Sequence, residues 1–332
     1  MNGVLKTQAQ YYNDTTIYTG EGGTATNKAV IEDIYDLLAW VDIMTNQAET
    51  FAITQHKQYA VMVADVDFNN HPTMKFGITT SFLDMYFNGN YGDLDGQEHI
   101  IRNAVFNGNS PAVTTGIISR GTLNNVNFKN MVVIDARADT KPVIDNITLN
   151  RCNFSVYMNT TGFGSVFGKT TSTYNDSTFN IMGAITESSI FSHGQLISNR
   201  CLYNFSNLNI LSTTTVKFCS NTGTIFNNCG FTGLISQSGN TTSVTFIIGR
   251  YSNCYFALKC TALDNYVGTG SGAYTNIFNT SSSSFVPTGI IAFNKDTWNS
   301  NGTYTDTSNV KYITDTNMKS KSFMQGLGFV TL

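Results

Sequence analysis

Charge is scarce in this chain. Asp, Glu, Lys and Arg make up 12% of 332 residues and leave a formal net charge of −3. No block of Lys or Arg stands out, so recognition of nucleic acid through counterion release is not expected. No run of roughly 18 apolar residues occurs, so no helix is expected to insert into a membrane. Proline is limited to four residues, and the six cysteines have neither the density of a disulfide scaffold nor the paired spacing of a zinc site. The opening MNGVLKTQAQYYNDTT lacks the positive and apolar regions of a signal peptide, so the chain reads as made and folded in a cytoplasm.

What the chain has in quantity is asparagine: 38 residues, against 41 charged residues of all four kinds. With 41% hydrophobic and 12% aromatic residues it can fill a core, which sets it apart from disordered polar chains. Asn, Ser, Thr and Gly are poor in helix interiors and good in turns, so strands and turns are expected throughout.

A short pattern recurs: a polar residue, a small residue, any residue, then an aromatic. It reads NAVF at Phe106, NVNF at Phe128, RCNF at Phe154 and DSTF at Phe179. It continues as RCLY at Tyr203, NCGF at Phe231, NCYF at Phe256 and a shortened NIF at Phe278. The steps average about 25 residues, too short for the usual helix-pair repeats. Such a period fits one turn of a parallel β-solenoid. The small residue and the aromatic lie two apart, hence on one strand face, and successive aromatics would stack inside, about 4.8 Å apart. The polar residue before them would turn a corner, where Asn tolerates left-handed geometry. Cys152, Cys201, Cys229 and Cys254 share the small position and read as a ladder of buried free thiols.

The ends of a solenoid need caps. Residues 27–45, NKAVIEDIYDLLAWVDIMT, have apolar residues at helical spacing, with Asn27 placed to cap the start, and read as a helix covering the first rung. The serine run 281–284 reads as a loop before a final strand pair and a short C-terminal helix near 315–325. The expected layout is one all-β chain: an attachment arm and cap helix over 1–50, a parallel β-helix of roughly eight to ten turns over 51–285, and terminal strands and cap over 286–332.

FNGNYGDLDGQEHIIRN, residues 87–103, resembles the opening pattern of pectate-lyase-like right-handed parallel β-helices, in particular bacterial surface proteins with GLUG repeats. The preceding ADVDFNN and the closing ITDTNMKSKSFMQGLGF, 313–329, are similar to segments of the same group. Glu98 stands where that group has Gly, and the Gly-Leu-x-Gly motif is not evident between 110 and 280. The resemblance implies a single-stranded right-handed β-helix. Its relatives in bacteriophage virions imply a structural, host-interaction component: a fibre, spike or capsid decoration, assembled in the host cytoplasm. Other virion proteins held by the N-terminal arm, a host glycan or receptor, and a homotrimer are the partners so implied. A polysaccharide depolymerase on the same fold and an extracellular bacterial surface adhesin are the alternatives.

No catalytic set is legible. Asp65 and Asp67, and Asp93 and Asp95, could form carboxylate pairs, but they sit in the segment where carboxylates bond turn backbone. His193 lacks the companions that polygalacturonases need, and Arg151 and Arg200 read as exposed corner charges. The four His are dispersed, so neither a metal site nor any other cofactor is expected. For binding, Tyr157, Tyr174, Tyr251, Tyr274 and Trp298 are the candidate platforms for sugar rings.

Overall fold

Every ladder among the described strands is parallel, and most link one rung to the next along the sequence. The computed structural model describes residues 24–37, 40, 59–70, 87–88, 92–107, 118–119, 121–135, 144–160, 166–168, 171–185, 189–191, 195–211, 217–219, 223–237, 249–262, 285–296 and 306–327. A first sheet of ten strands runs from Ala29–Ile31 to Phe285–Pro287, and a second of eleven runs from Val66–Asp67 to Val310–Ile313. Short strands at Phe87–Asn88, Ile118–Ser119 and Ile144–Asp145 build a third side, continued by bridges from Ile144 to Phe167 and from Phe167 to Phe191. The chain is an all-β parallel solenoid of about 25 residues per turn.

The core follows from alternation. In the second sheet, Ile101, Phe128, Phe154, Phe179, Tyr203, Phe231, Phe256, Phe293 and Tyr312 occupy one register position on successive strands. The rings from Phe128 to Phe256 stack with centroids 4.6–5.4 Å apart, nearly parallel. Stacked Phe226 and Tyr251 in the first sheet, and Phe167 and Phe191 on the third side, meet this column edge-on. Both offset stacks and edge-to-face contacts suit the aromatic quadrupole, so three columns fill one lumen without crowding like-charged ring faces.

Asn125, Arg151, Asp176, Arg200, Asn228 and Asn253 turn the corner between the first and second sheets, all at φ between 51° and 54°. The following Cys has a definite task there. Cys152, Cys201, Cys229 and Cys254 each donate Sγ–H to the carbonyl two residues earlier, and Ser177 donates its hydroxyl to Asn175 in the same way.

Three expectations need correction. Phe106 does not precede Phe128 in the stack: it pairs with Val133, and Ile101 holds the position in register with Phe128. The cause is that Asn103, φ 62°, is aligned with the bulge residue Asn130, φ 52°, and is no corner. Both kinds of site favour left-handed Asn, so the sequence pattern looks alike at each. Phe278 lies outside the described residues, and the partner of Phe256 on that side is Phe293.

The second correction concerns residues 27–45. Ala29–Ile31 is a strand, paired with Tyr59–Met62, and helical residues begin at 34. Asp33 caps this turn, its Oδ1 accepting from Tyr35 and Asp36. A β-branched Val-Ile pair gains more from a sheet edge than from a first helical turn. Ile34, Tyr35, Leu37 and Trp40 join the same buried cluster as Ala29, Ile31, Ala60 and Met62.

Third, the first sheet begins before residue 51, at Ala29–Ile31, while beyond 285 Ile291–Asn294 and Val310–Ile313 pair as further rungs of the second sheet. After them come two short helices, Asp315–Lys319 and Lys321–Gly326, capped by Thr314 and Ser320. Met318 and Met324 pack on Ala292 and Ile313, with Tyr255 and Ala257 alongside. Ala292 and Tyr255 point away from the lumen, so these helices cover the outer face of the second sheet.

Candidate functional site

The outward positions carry two kinds of order. Along the first sheet the strands Thr122–Asn124, Thr148–Asn150, Ser172–Asn175, Leu196–Asn199 and Ile225–Asn227 end in Asn at one position. Their amides form a ladder in which each Nδ2 donates to the Oδ1 of the preceding rung at 2.8–3.0 Å. At its head Asn124 donates to the Asp93 carboxylate at 2.9 Å. All donors point one way, and an anionic acceptor closes the chain.

The opening carboxylates are similarly occupied. Asp65 accepts from the Ile100 N–H and lies 3.2 Å from His99 Nδ1. Chiefly the Ile100 bond holds it below the usual carboxylate range. Burial works upward on Asp67, but bonds from Asn103, the Asn69 N–H and Arg102 prevail and keep it low. Asp95 behaves likewise, through Asn125, the Gln97 N–H and Lys28. Burial pushes Asp93 up, against Lys28 and Asn124.

At the corners, Arg200 lies on Asp176 with two guanidinium bonds, and Arg151 Nε donates to Asn125 Oδ1 at 2.6 Å. Arg200 thereby depresses Asp176. Among the described residues, no group of three or more His, Cys, Asp or Glu side chains converges as a metal ion requires, and no helix is long and apolar enough to cross a membrane. His193 lies outside the described residues.

The candidate platforms separate sharply. Tyr174 and Tyr251 are not surface residues: both are fully buried, because they take the inward position of the first sheet in register with Leu149 and Phe226. Burial pushes both phenols well up, and Tyr174 donates to the Ile144 carbonyl. The middle residue of each x-x-Asn triplet is the signal for this second inward column, which the aromatic spacing alone does not reveal. Tyr157 stands outward on the second sheet, 47% exposed. Tyr274 and Trp298 lie outside the described residues.

No family model, curated protein or solved structure matches this chain.

Proposed function

We propose that the chain is a non-enzymatic component of a bacteriophage particle, a fibre, spike or capsid decoration, whose solenoid surface attaches to a host receptor or glycan. One observation carries the attachment reading: the carboxylates of the opening segment are engaged in turns and ladders, while the outward columns present mainly neutral amides and hydroxyls. The phage setting rests on the likeness of the two end segments to capped β-helices and on the Asn-, Ser- and Thr-rich composition. Other virion proteins, bound through the N-terminal arm, and two further copies of the chain are the partners of this reading.

Mass spectrometry of purified particles tests it. The chain is expected among the particle proteins, and particles made without it should adsorb poorly to host cells. A particle that lacks the chain defeats the proposal. A depolymerase is the second reading, with Asp93 and Asp95, which share a strand face, as its candidate carboxylates. New reducing ends, or unsaturated ends, released from host capsule by the purified chain would establish it.

A further inference from the structure

The outer face of the second sheet carries two bulges. On Asn127–Asp135, Lys129 and Asn130 both face solvent, because Asn130 is left-handed and the pairing shifts between Phe128 and Met131. On Leu202–Ile210, Ser206 and Asn207 do the same, with Asn207 at φ 63° and a shift between Ile181 and Gly183. The two strands between them, Asn153–Thr160 and Thr178–Ile185, pair without a break from Asn153 to Asn159. Each bulge turns two consecutive polar side chains outward, so polar shoulders flank a floor two strands wide.

That floor has an apolar row and a polar row. Tyr157 and Met182 are in register across its two strands, with Val132 beside Tyr157 on the first bulged strand, and Tyr157 is the most exposed large hydrophobic residue among those described. Two residues along, about 6.8 Å away, Ser155 and Asn180 are in register. Asn204 Nδ2 donates to Asn180 Oδ1 at 3.0 Å and to Ser206 Oγ at 3.1 Å, and Thr232 donates to Asn204 Oδ1 at 3.2 Å. These bonds orient the amides in advance. Lys129 is the single charge on the shoulders.

The occupant follows from this chemistry. A polyanion would need several cations, and an apolar peptide would strand the amide row against its side chains. A sugar ring presents a C–H face and a rim of hydroxyls, which are the two surfaces this floor complements. Resting on the attachment reading above, we infer that the floor between the two bulges is the glycan site. A hexopyranose unit of a neutral polysaccharide stacks on Tyr157, and Ser155 and Asn180 bond its hydroxyls.

The test uses the purified full-length chain and a panel of neutral hexasaccharides of gluco-, manno- and galacto-configuration, followed by saturation-transfer NMR and calorimetry. At least one should bind. Tyr157→Ala should weaken that binding about tenfold or more, whereas Tyr157→Phe should retain it, with circular dichroism and melting temperature unchanged. Asn180→Ala should weaken it as well. Absence of binding across the panel, or undiminished binding by Tyr157→Ala, would overturn the proposal. The particle experiment separates the two readings. Tyr157-dependent binding by a chain missing from particles defeats the phage setting alone. A particle-borne chain that drives adsorption independently of Tyr157 defeats this site alone.

Discussion

The Tyr203 hydroxyl lies 2.7 Å from Ser198 Oγ, and both residues are sealed from solvent. Ser198 sits in the inward column of the first sheet between Tyr174 and Phe226, so a small residue breaks a row of large ones. The phenol of Tyr203, one hydroxyl longer than its Phe neighbours in the opposing stack, reaches into the space so left. Two departures from the repeat therefore compensate each other across the lumen.

A double-mutant cycle checks this relationship. Tyr203→Phe leaves the serine hydroxyl with the Cys229 thiol at 3.4 Å as its weaker partner, and should cost about 1–2 kcal/mol. Ser198→Ala should cost a similar amount. The double variant should cost little more than either single one, a coupling of about 1 kcal/mol in urea unfolding. Strict additivity would show that the two side chains act independently.

Much of this architecture is legible in the sequence, and the misreadings have physical causes. The spacing of Phe128, Phe154, Phe179, Tyr203, Phe231 and Phe256 is imposed by one rung of backbone, so the solenoid and its period emerge from counting. Phe106 misleads because corners and bulges both favour left-handed Asn. Tyr174 and Tyr251 mislead because residue type does not declare which face of a strand it occupies; only the neighbouring Asn ladder fixes that alternation. The Tyr157 floor is hidden for another reason. It depends on where two bulges fall relative to each other, which is a property of register and of no single segment.

The Asn ladder should be sensitive in its middle. Asn175 donates to Asn150 and accepts from Asn199, so Asn175→Ala removes two amide bonds from a half-buried site. About 2 kcal/mol of stability should be lost, measured by chemical denaturation. Asn175→Asp keeps the acceptor but faces the Asn150 oxygen without a donor when ionised. That variant should be markedly less stable at pH 7 than at pH 3 relative to the parent. Equal loss at both values would mean that the ladder's donor direction carries no energy.

Asp36 sets a pH dependence at the N-terminal cap. Burial raises its pKa from 3.8 to about 6, reinforced by Asp33 and Glu32 and opposed by the Glu32 N–H. The folded chain then holds a proton that the unfolded chain has released, so this contribution to stability falls as pH rises from about 4 to 6 and stays level above. Discounted for partial exposure, it is worth about 1 kcal/mol. Asp36→Asn should accordingly stabilise the chain at pH 8 and leave it unchanged near pH 4. Asp65, Asp67, Asp95 and Asp176 act in the opposite sense, their stabilisation being lost as pH falls below about 4. A thermal melt at half-unit pH steps resolves the two limbs.

The thiol column should be chemically silent in the folded state. Burial raises the Cys152 thiol to about 11 and pushes Cys201 and Cys229 up as well. An aromatic disulfide reagent at pH 8 should therefore leave Cys152, Cys201 and Cys229 unlabelled until denaturant is added, when all six cysteines should react. Ser177 already serves at this position, so Cys229→Ser should cost under about 1 kcal/mol while retaining the bond to the Asn227 carbonyl. Rapid labelling of Cys229 in the native chain would contradict the packing.

Gly183 is the most demanding backbone position. Its φ of 97° is one that L side chains rarely adopt, and a Cβ there would collide with the Met158 carbonyl oxygen on the adjacent strand. Neither partner can swing aside, because Met158 and Gly183 are paired in the ladder that forms the floor beside Tyr157. Gly183→Ala should cost roughly 3 kcal/mol, through strain at φ and forced separation of the two strands. Gly233, φ 102°, repeats the arrangement against the Phe205 carbonyl, so Gly233→Ala should behave alike. A neutral Gly326→Ala, where nothing lies within reach of a Cβ, provides the control. If all three substitutions shifted the unfolding midpoint equally, loss of glycine flexibility in the unfolded chain would account for the effect, and the close strand approach would not.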